Sequence, residues 1–108
     1  MAYAVILKLL TLAPATNAVV ADATGTDARF NFPSKITTDG TNLYVADSSN
    51  NKIRKIVIST GEVTTFAGSS QGFLDHTTGT SAKFDVPSGI TTDGTNLYVV
   101  DKNNQKIR

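Results

Sequence analysis

Apolar positions in this chain come in short alternating runs, each broken by small or turn-forming residues. In Asn42–Asp47 (NLYVAD), Leu43 and Val45 point to one side of an extended strand, and Tyr44 and Ala46 point to the other. Both sides are apolar, so both faces of that strand are suited to burial. The same pattern predicts strands over 36–38, 52–58 and Glu62–Ala67. Asp39-Gly40 is a hairpin-turn signal, because both residue types tolerate positive φ. Residues 48–51 and 59–61 are polar turns, and Gly68 ends the fourth strand. A polar loop over 69–83 leads to a strand at 90–92, a turn at Asp93-Gly94, and strands at 96–101 and 106–108.

These elements are two copies of one arrangement. Residues 30–54 (FNFPSKITTDGTNLYVADSSNNKIR) and 84–108 (FDVPSGITTDGTNLYVVDKNNQKIR) stand 54 residues apart, and 18 of their 25 aligned positions are identical. Such a repeat signals stacked modules, each unable to bury its apolar surface alone. The chain divides into unit 1–54, with a degraded N-terminal strand, and unit 55–108, truncated in its third strand. The apolar run at 4–13 (AVILKLLTLA) leaves more than one reading open. It fits a secretory leader cleaved near Ala18, although no basic residue precedes it and Lys8 interrupts it. It also fits a strand over 5–13. Residues 9–13 (LLTLA) fall 54 positions before 63–67 (VTTFA), and Thr24, Gly25, Thr26 and Ala28 fall before Thr78, Gly79, Thr80 and Ala82. The strand is the preferred reading. The run is shorter than the roughly 20 apolar residues of a bilayer span, and its consecutive apolar residues give a helix little support.

Four short antiparallel strands per unit make a small sheet with two apolar faces. Radial stacking covers both faces and leaves few open edges. The expected fold is therefore all-β, with two four-stranded antiparallel β-propeller blades. An up-and-down sandwich fits the strands but gives the repeat no structural cause. The residues resemble the NHL repeat. The resemblance runs through Pro33, Ile36, Asp39-Gly40, Asn42 to Val45, Asp47 and Asn51 to Arg54. It returns in Pro87 to Ile90, Asp93-Gly94, Asn96 to Val99, Asp101 and Gln105 to Arg108. It covers nearly everything from Asp22 onward. Two departures are Gln105 for Asn51, and Lys35 where the second unit has Gly89, a residue free to adopt conformations that lysine avoids. The resemblance implies a propeller, typically of six blades, of which this chain supplies about two. Open blade faces then imply an interaction surface. One expectation is a homo-oligomer, with a trimer closing the ring and each N-terminal strand completing a neighbour's last blade. The alternative is a piece of a longer natural or engineered propeller.

Composition narrows the function classes. The 108 residues suit one domain, and 40% apolar with 18% charged content fits a folded protein. A net charge of +1 supplies no global attraction for nucleic acid or anionic membrane. Without cysteine there is no disulfide scaffold or thiolate metal site. His76 is the single histidine, too few for a zinc site or a Ser-His-Asp triad. The metal-dependent lyase activity known for some NHL relatives lacks its histidine ligands here. The counterpart of His76 in the first unit is Asp22, in a variable loop. Asp47 and Asp101 each close a strand. They suggest either a calcium loop or an Asx-type turn, in which the carboxylate accepts backbone N–H bonds. The segment Asp47-Ser-Ser-Asn-Asn-Lys lacks the glycine of a calcium loop, so the turn is preferred; Asp22 and Asp27 make a weaker calcium case.

Arg54 and Arg108 share a repeat position and are suited to pair with the strand-ending aspartate of their own blade. The resemblance implies a second use, a ring of arginines facing RNA. Scattered, balanced charge disfavours it, as does the placement of Tyr44 and Tyr98 inside apolar strands. Neither GxxxxGK[ST] nor GxGxxG is present. The expected function is a non-enzymatic scaffold, without cofactor or metal, that binds a protein, peptide or glycan in an extracytoplasmic or secreted setting. The alternative is a self-assembling propeller fragment.

Overall fold

The computed structural model describes residues 22–108. The strand expected over 5–13, and the leader that competes with it, lie outside those residues. The first sheet contains β1 (Ala23–Thr24), β2 (Pro33–Thr38), β3 (Asn42–Asp47), β4 (Lys52–Val57) and β5 (Glu62–Ala67), in the antiparallel order β1-β5-β4-β3-β2. The second contains β6 (Pro87–Thr92), β7 (Leu97–Asp101) and β8 (Lys106–Ile107), in the order β6-β7-β8. The fold is all-β, in two propeller-type blades.

Local pattern located β3 and β5 and shortened β2 and β6. Those two strands start at Pro33 and Pro87, which pair with Asp47 and Asp101 across a register shift. A bulge lets a strand bend and still pair beyond the bend, and proline is tolerated at a strand's first residue because it need not donate there. β1 was not expected. It pairs with β5, Ala23 opposite Val63, and the Gly25 N–H donates to the Gly61 carbonyl at 3.0 Å. Within the expected loop, Leu74 and Lys83 form an antiparallel bridge.

Alternation along β3 sorts its side chains between two apolar clusters. Val45 joins Ala28, Ile56 and Val63 on one face of the first sheet. Ala46 and Ile53 face the other way and meet Ala82, Phe84 and Val99. The second sheet therefore covers the far face of the first, which is the arrangement two-faced blades require. Hydrogen bonds stitch the same boundary. The Ser34 hydroxyl donates to the Ser88 carbonyl at 2.8 Å, and the Val86 N–H donates to Asn51 Oδ1 at 2.8 Å.

Lys35 and Gly89 are accommodated by their partners across the strands. Gly89 lies opposite Val100, and a Cβ on Gly89 would come within 3.1 Å of Val100 Cγ2. Lys35 lies opposite Ala46, which has no γ carbon to collide with. Gly68 is a stricter requirement. Its φ is +102°, and a Cβ there would meet the Asn51 carbonyl oxygen at 2.5 Å.

Candidate functional site

The repeat positions fall at the two ends of each central strand. At one end the Asp-Gly hairpins are built identically. Asp39 Oδ1 accepts the N–H groups of Thr41 at 2.9 Å and Asn42 at 2.7 Å. Asp93 Oδ1 accepts those of Thr95 at 2.8 Å and Asn96 at 2.7 Å. Gly40 and Gly94 take φ of 92° and 94°, the left-handed half of the turn. Each second carboxylate oxygen accepts a phenol, from Tyr44 at 3.2 Å and Tyr98 at 2.9 Å. The N–H groups of Asn42 and Thr41 hold the Asp39 carboxyl below the usual carboxylate range. Those of Asn96 and Thr95, with the Tyr98 hydroxyl, lower Asp93 to about 2. Burial raises the Tyr44 phenol. Tyr98 is raised by its bond to Asp93 and by that residue's charge. Although Tyr98 lies in an apolar run, it is exposed, whereas Tyr44 is buried.

Where the two hairpins adjoin, the sheets leave a groove of about 310 Å³. One wall carries Asp39, Tyr44 and Phe66, with the two rings edge-to-face, centroids 5.2 Å apart at 73°. The other wall carries Thr92, Gly94, Thr95, Asn96 and Leu97. Among the described residues the groove's one charge is Asp39. Sequence reading gave Phe66, Thr95 and Asn96 no binding role. For Thr95 and Asn96 the available signal was the run at 36–45, whose identity with 90–99 is longer than a hairpin turn requires.

At the other end of β3 and β7 lie the aspartate–arginine pairs. Arg54 Nη1 donates to Asp47 Oδ2 at 3.0 Å and to the Arg29 carbonyl at 2.7 Å, and Nη2 donates to Asp22 Oδ1 at 2.8 Å. Arg108 Nη1 donates to Asp101 Oδ2 at 2.9 Å and to the Lys83 carbonyl, and Nη2 donates to Asp75 Oδ1 at 2.8 Å. The guanidinium carbons lie over Phe30 at 4.8 Å and over Phe84 at 4.6 Å. The preferred Asx-type turn at Asp47 and Asp101 is corrected here. Neither carboxylate caps its own turn. Asp47 Oδ1 reaches back to the Asn31 N–H and Asp101 Oδ1 to the Asp85 N–H, each at 2.8 Å. Each aspartate therefore ties its strand to the segment that enters the blade.

The alignment of Asp22 with His76 is also corrected. Asp75, one residue earlier, does for Arg108 what Asp22 does for Arg54. His76 is exposed, and its Nδ1 accepts the Thr78 N–H at 2.9 Å. A second groove, of about 390 Å³, runs past Phe73, His76, Phe84 and Arg108. Lys106 and Arg108 both lie over its Phe73 ring, at 5.1 and 4.9 Å. Among the described residues, no group of three or more His, Cys, Asp or Glu is placed to hold a metal ion. No helix among them is long and apolar enough to cross a membrane.

Two stacked blades, each with an Asp-Gly hairpin at one end and an Asp–Arg pair at the other, define part of a β-propeller. The repeats are of the NHL type, and this is an NHL-repeat chain of about two blades. The NHL repeat-containing protein 2 of Bos taurus is 37% identical over 92 residues, covering 81% of this chain and 13% of that protein. A structural genomics protein of unknown function from Bacteroides thetaiotaomicron VPI-5482 superposes with a TM-score of 0.78 at 28% identity, over 84% of this chain and 24% of that one. An auxiliary nutrient binding protein from the same organism gives 0.72 at 28% identity, over 86% of this chain and 25% of that one. No family model matches the chain. The chain thus spans 13% of the length of the curated relative and about a quarter of the solved chains.

Proposed function

We propose that this chain is a non-enzymatic binding module, whose units 1–54 and 55–108 contribute strands to two successive propeller blades and present their hairpin ends to a protein, peptide or glycan. One observation carries the reading: the groove between the hairpins, walled by an exposed aromatic and by polar turn residues on a rigid strand scaffold. Pockets with a few convergent polar groups on a fixed frame are the usual form of a binding site. The nutrient binding neighbour supports binding as the role, and an extracytoplasmic or secreted setting is part of the proposal. The exposed His76, with its ring nitrogen bonded within its own loop, supports the non-enzymatic assignment. Hydrogen exchange of the full chain against a peptide library and an oligosaccharide library tests the reading. Protection is expected at 38–44 and 92–98. Protection confined to the Asp–Arg end overturns it.

A second reading, self-assembly, is favoured by a comparison of equivalent residues. Ile53 is 1% exposed because the second sheet covers it, whereas its counterpart Ile107 is 69% exposed. Tyr98 and Val100 on that face are also exposed, and Ile36 is exposed on the first sheet. The first sheet of a second copy fits that face as the second sheet fits the first, a head-to-tail contact that closes into a ring when the rotation allows. Light scattering on the gel-filtered chain is expected to give a trimer, with Ile107→Asp shifting it to monomer. A monomer without the substitution refutes assembly, and another closed number refutes the six-bladed ring.

A further inference from the structure

We propose that the groove between the two hairpins takes a neutral, polyhydroxylated ring, that is, a saccharide, with its C–H face on Phe66 and its hydroxyls on the opposite polar wall. This rests on the binding-module reading and names the ligand chemistry of that site. The two walls have different characters, and a sugar ring has the same two characters. Phe66 is 45% exposed, yet its ring is steadied edge-on against Tyr44. A ring already held in place provides an apolar platform at little further cost in ordering. Across the groove, the Thr92 hydroxyl is already committed to the Asn96 carbonyl and the Gly94 N–H, while Thr95 and Asn96 carry uncharged hydroxyl and amide side chains, which both donate and accept. Hydroxyls of a saccharide do the same.

Charge excludes the competing ligands. Among the described residues, Asp39 is the one acid on the walls, and no lysine or arginine lines them. An anion such as phosphate would meet a carboxylate with no compensating cation. A hard cation would meet one carboxylate where several oxygens are needed. Asp39 Oδ2 already accepts the Tyr44 hydroxyl. A carboxylate oxygen has room for a further donor, so a sugar hydroxyl arriving there makes a charge-assisted bond. The volume, about 310 Å³, lies at the lower end of the roughly 300–1,000 Å³ of ligand sites. It suits one ring of a chain whose remaining rings stay in solvent. The Asp-Tyr wall recurs at Asp93 and Tyr98, so every further blade stacked in this manner would add one such groove.

The test is titration of the full 108-residue chain with neutral hexasaccharides of glucose, mannose, xylose and galactose. Hexagalacturonate and inorganic phosphate serve as charged probes. The readouts are the ring-proton NMR shifts of Phe66 and Tyr44, and calorimetry. At least one neutral hexasaccharide is expected to move both rings, and the charged probes are expected to move neither. Phe66→Ala should weaken binding by about tenfold, the equivalent of one good ring contact. Thr95→Val keeps the shape of an exposed residue whose backbone N–H makes the turn bond, and should weaken binding by about threefold or more. Absence of ring shifts with every neutral hexasaccharide overturns the inference, as does binding indifferent to both substitutions. Should peptides protect the hairpin ends while saccharides leave the rings unmoved, the saccharide inference fails and the binding module stands. Should neither class act there, both fail.

Discussion

Replacing Arg54 with methionine should cost about 3–5 kcal/mol of folding free energy, because it leaves a buried charge without its counter-ion. Both side chains of the Arg54–Asp47 pair are 0% exposed. Asp47 would keep the Asn31 N–H and the Asn50 amide, each at 2.8 Å. It would lose the buried guanidinium that is bonded to it at 3.0 Å. The segment that enters the first blade loses its anchor as well, since Arg54 also binds the Arg29 carbonyl, Asp22 and the face of Phe30. Urea unfolding followed by circular dichroism measures the loss. Asp22→Asn provides the scale. That carboxylate is half-exposed, and pairs of that kind contribute about 0–1 kcal/mol. Converting Asp47 to leucine in the Arg54→Met background should recover part of the loss, because the stranded charge is then gone. A loss below about 1 kcal/mol for Arg54→Met would mean that the pair does not pin the blade.

Phe84→Ala should cost about 3–5 kcal/mol by leaving a cavity that the surrounding strands fill only partly. Phe84 is buried among Ala46, Ile53, Ala82 and Val99, and so belongs to both sheets. The Arg108 guanidinium covers one face of its ring, and Gly68 lies so close that a Cβ there would come within 3.3 Å of Phe84 Cδ2. Removing the ring should therefore uncouple the sheets before it unfolds either. Amides of β6 and β7 are expected to exchange through a lower-energy opening than those of β3 and β4, in place of a shared one. Its repeat counterpart Phe30 is only half-buried, so Phe30→Ala should cost less. Equal losses at the two positions, with all four strands still exchanging together, would place the cohesion of the sheets elsewhere. Small domains hold about 5–15 kcal/mol in total, so either substitution removes a large share.

Much of the blade was legible in the residues, and the reasons differ from element to element. β3 and β5 were found because period-two alternation and their flanking turns are local signals. The hairpins were found because Asp-Gly supplies both the positive φ and a carboxylate that collects the turn's own N–H groups, all within four residues. β1 was missed because two residues carry no period; Ala23–Thr24 is a strand only because the edge of β5 lies beside it. Asp75 was missed because a rigid 54-residue offset puts His76 opposite Asp22, while the loop reaches Arg108 one residue out of step. The carboxylate of Asp47 was assigned to its own turn because sequence shows the neighbours along the chain. The bond it makes is to an N–H sixteen positions away.

By itself, then, the sequence determined the strands of the repeat unit, the hairpins that join them, and the two-faced character that makes one blade need another. All of these follow from spacing within a few residues. Tertiary structure alone decided that Asp22 and Asp75 join the arginines whose pairing with Asp47 and Asp101 the repeat had suggested, why lysine is tolerated at 35 and glycine required at 68, and that the two hairpins stand side by side with a groove between them. Those outcomes depend on register across strands and on the approach of separate sheets. Contacts between residues remote in the chain leave no periodic trace, so packing had to be seen before the groove could be.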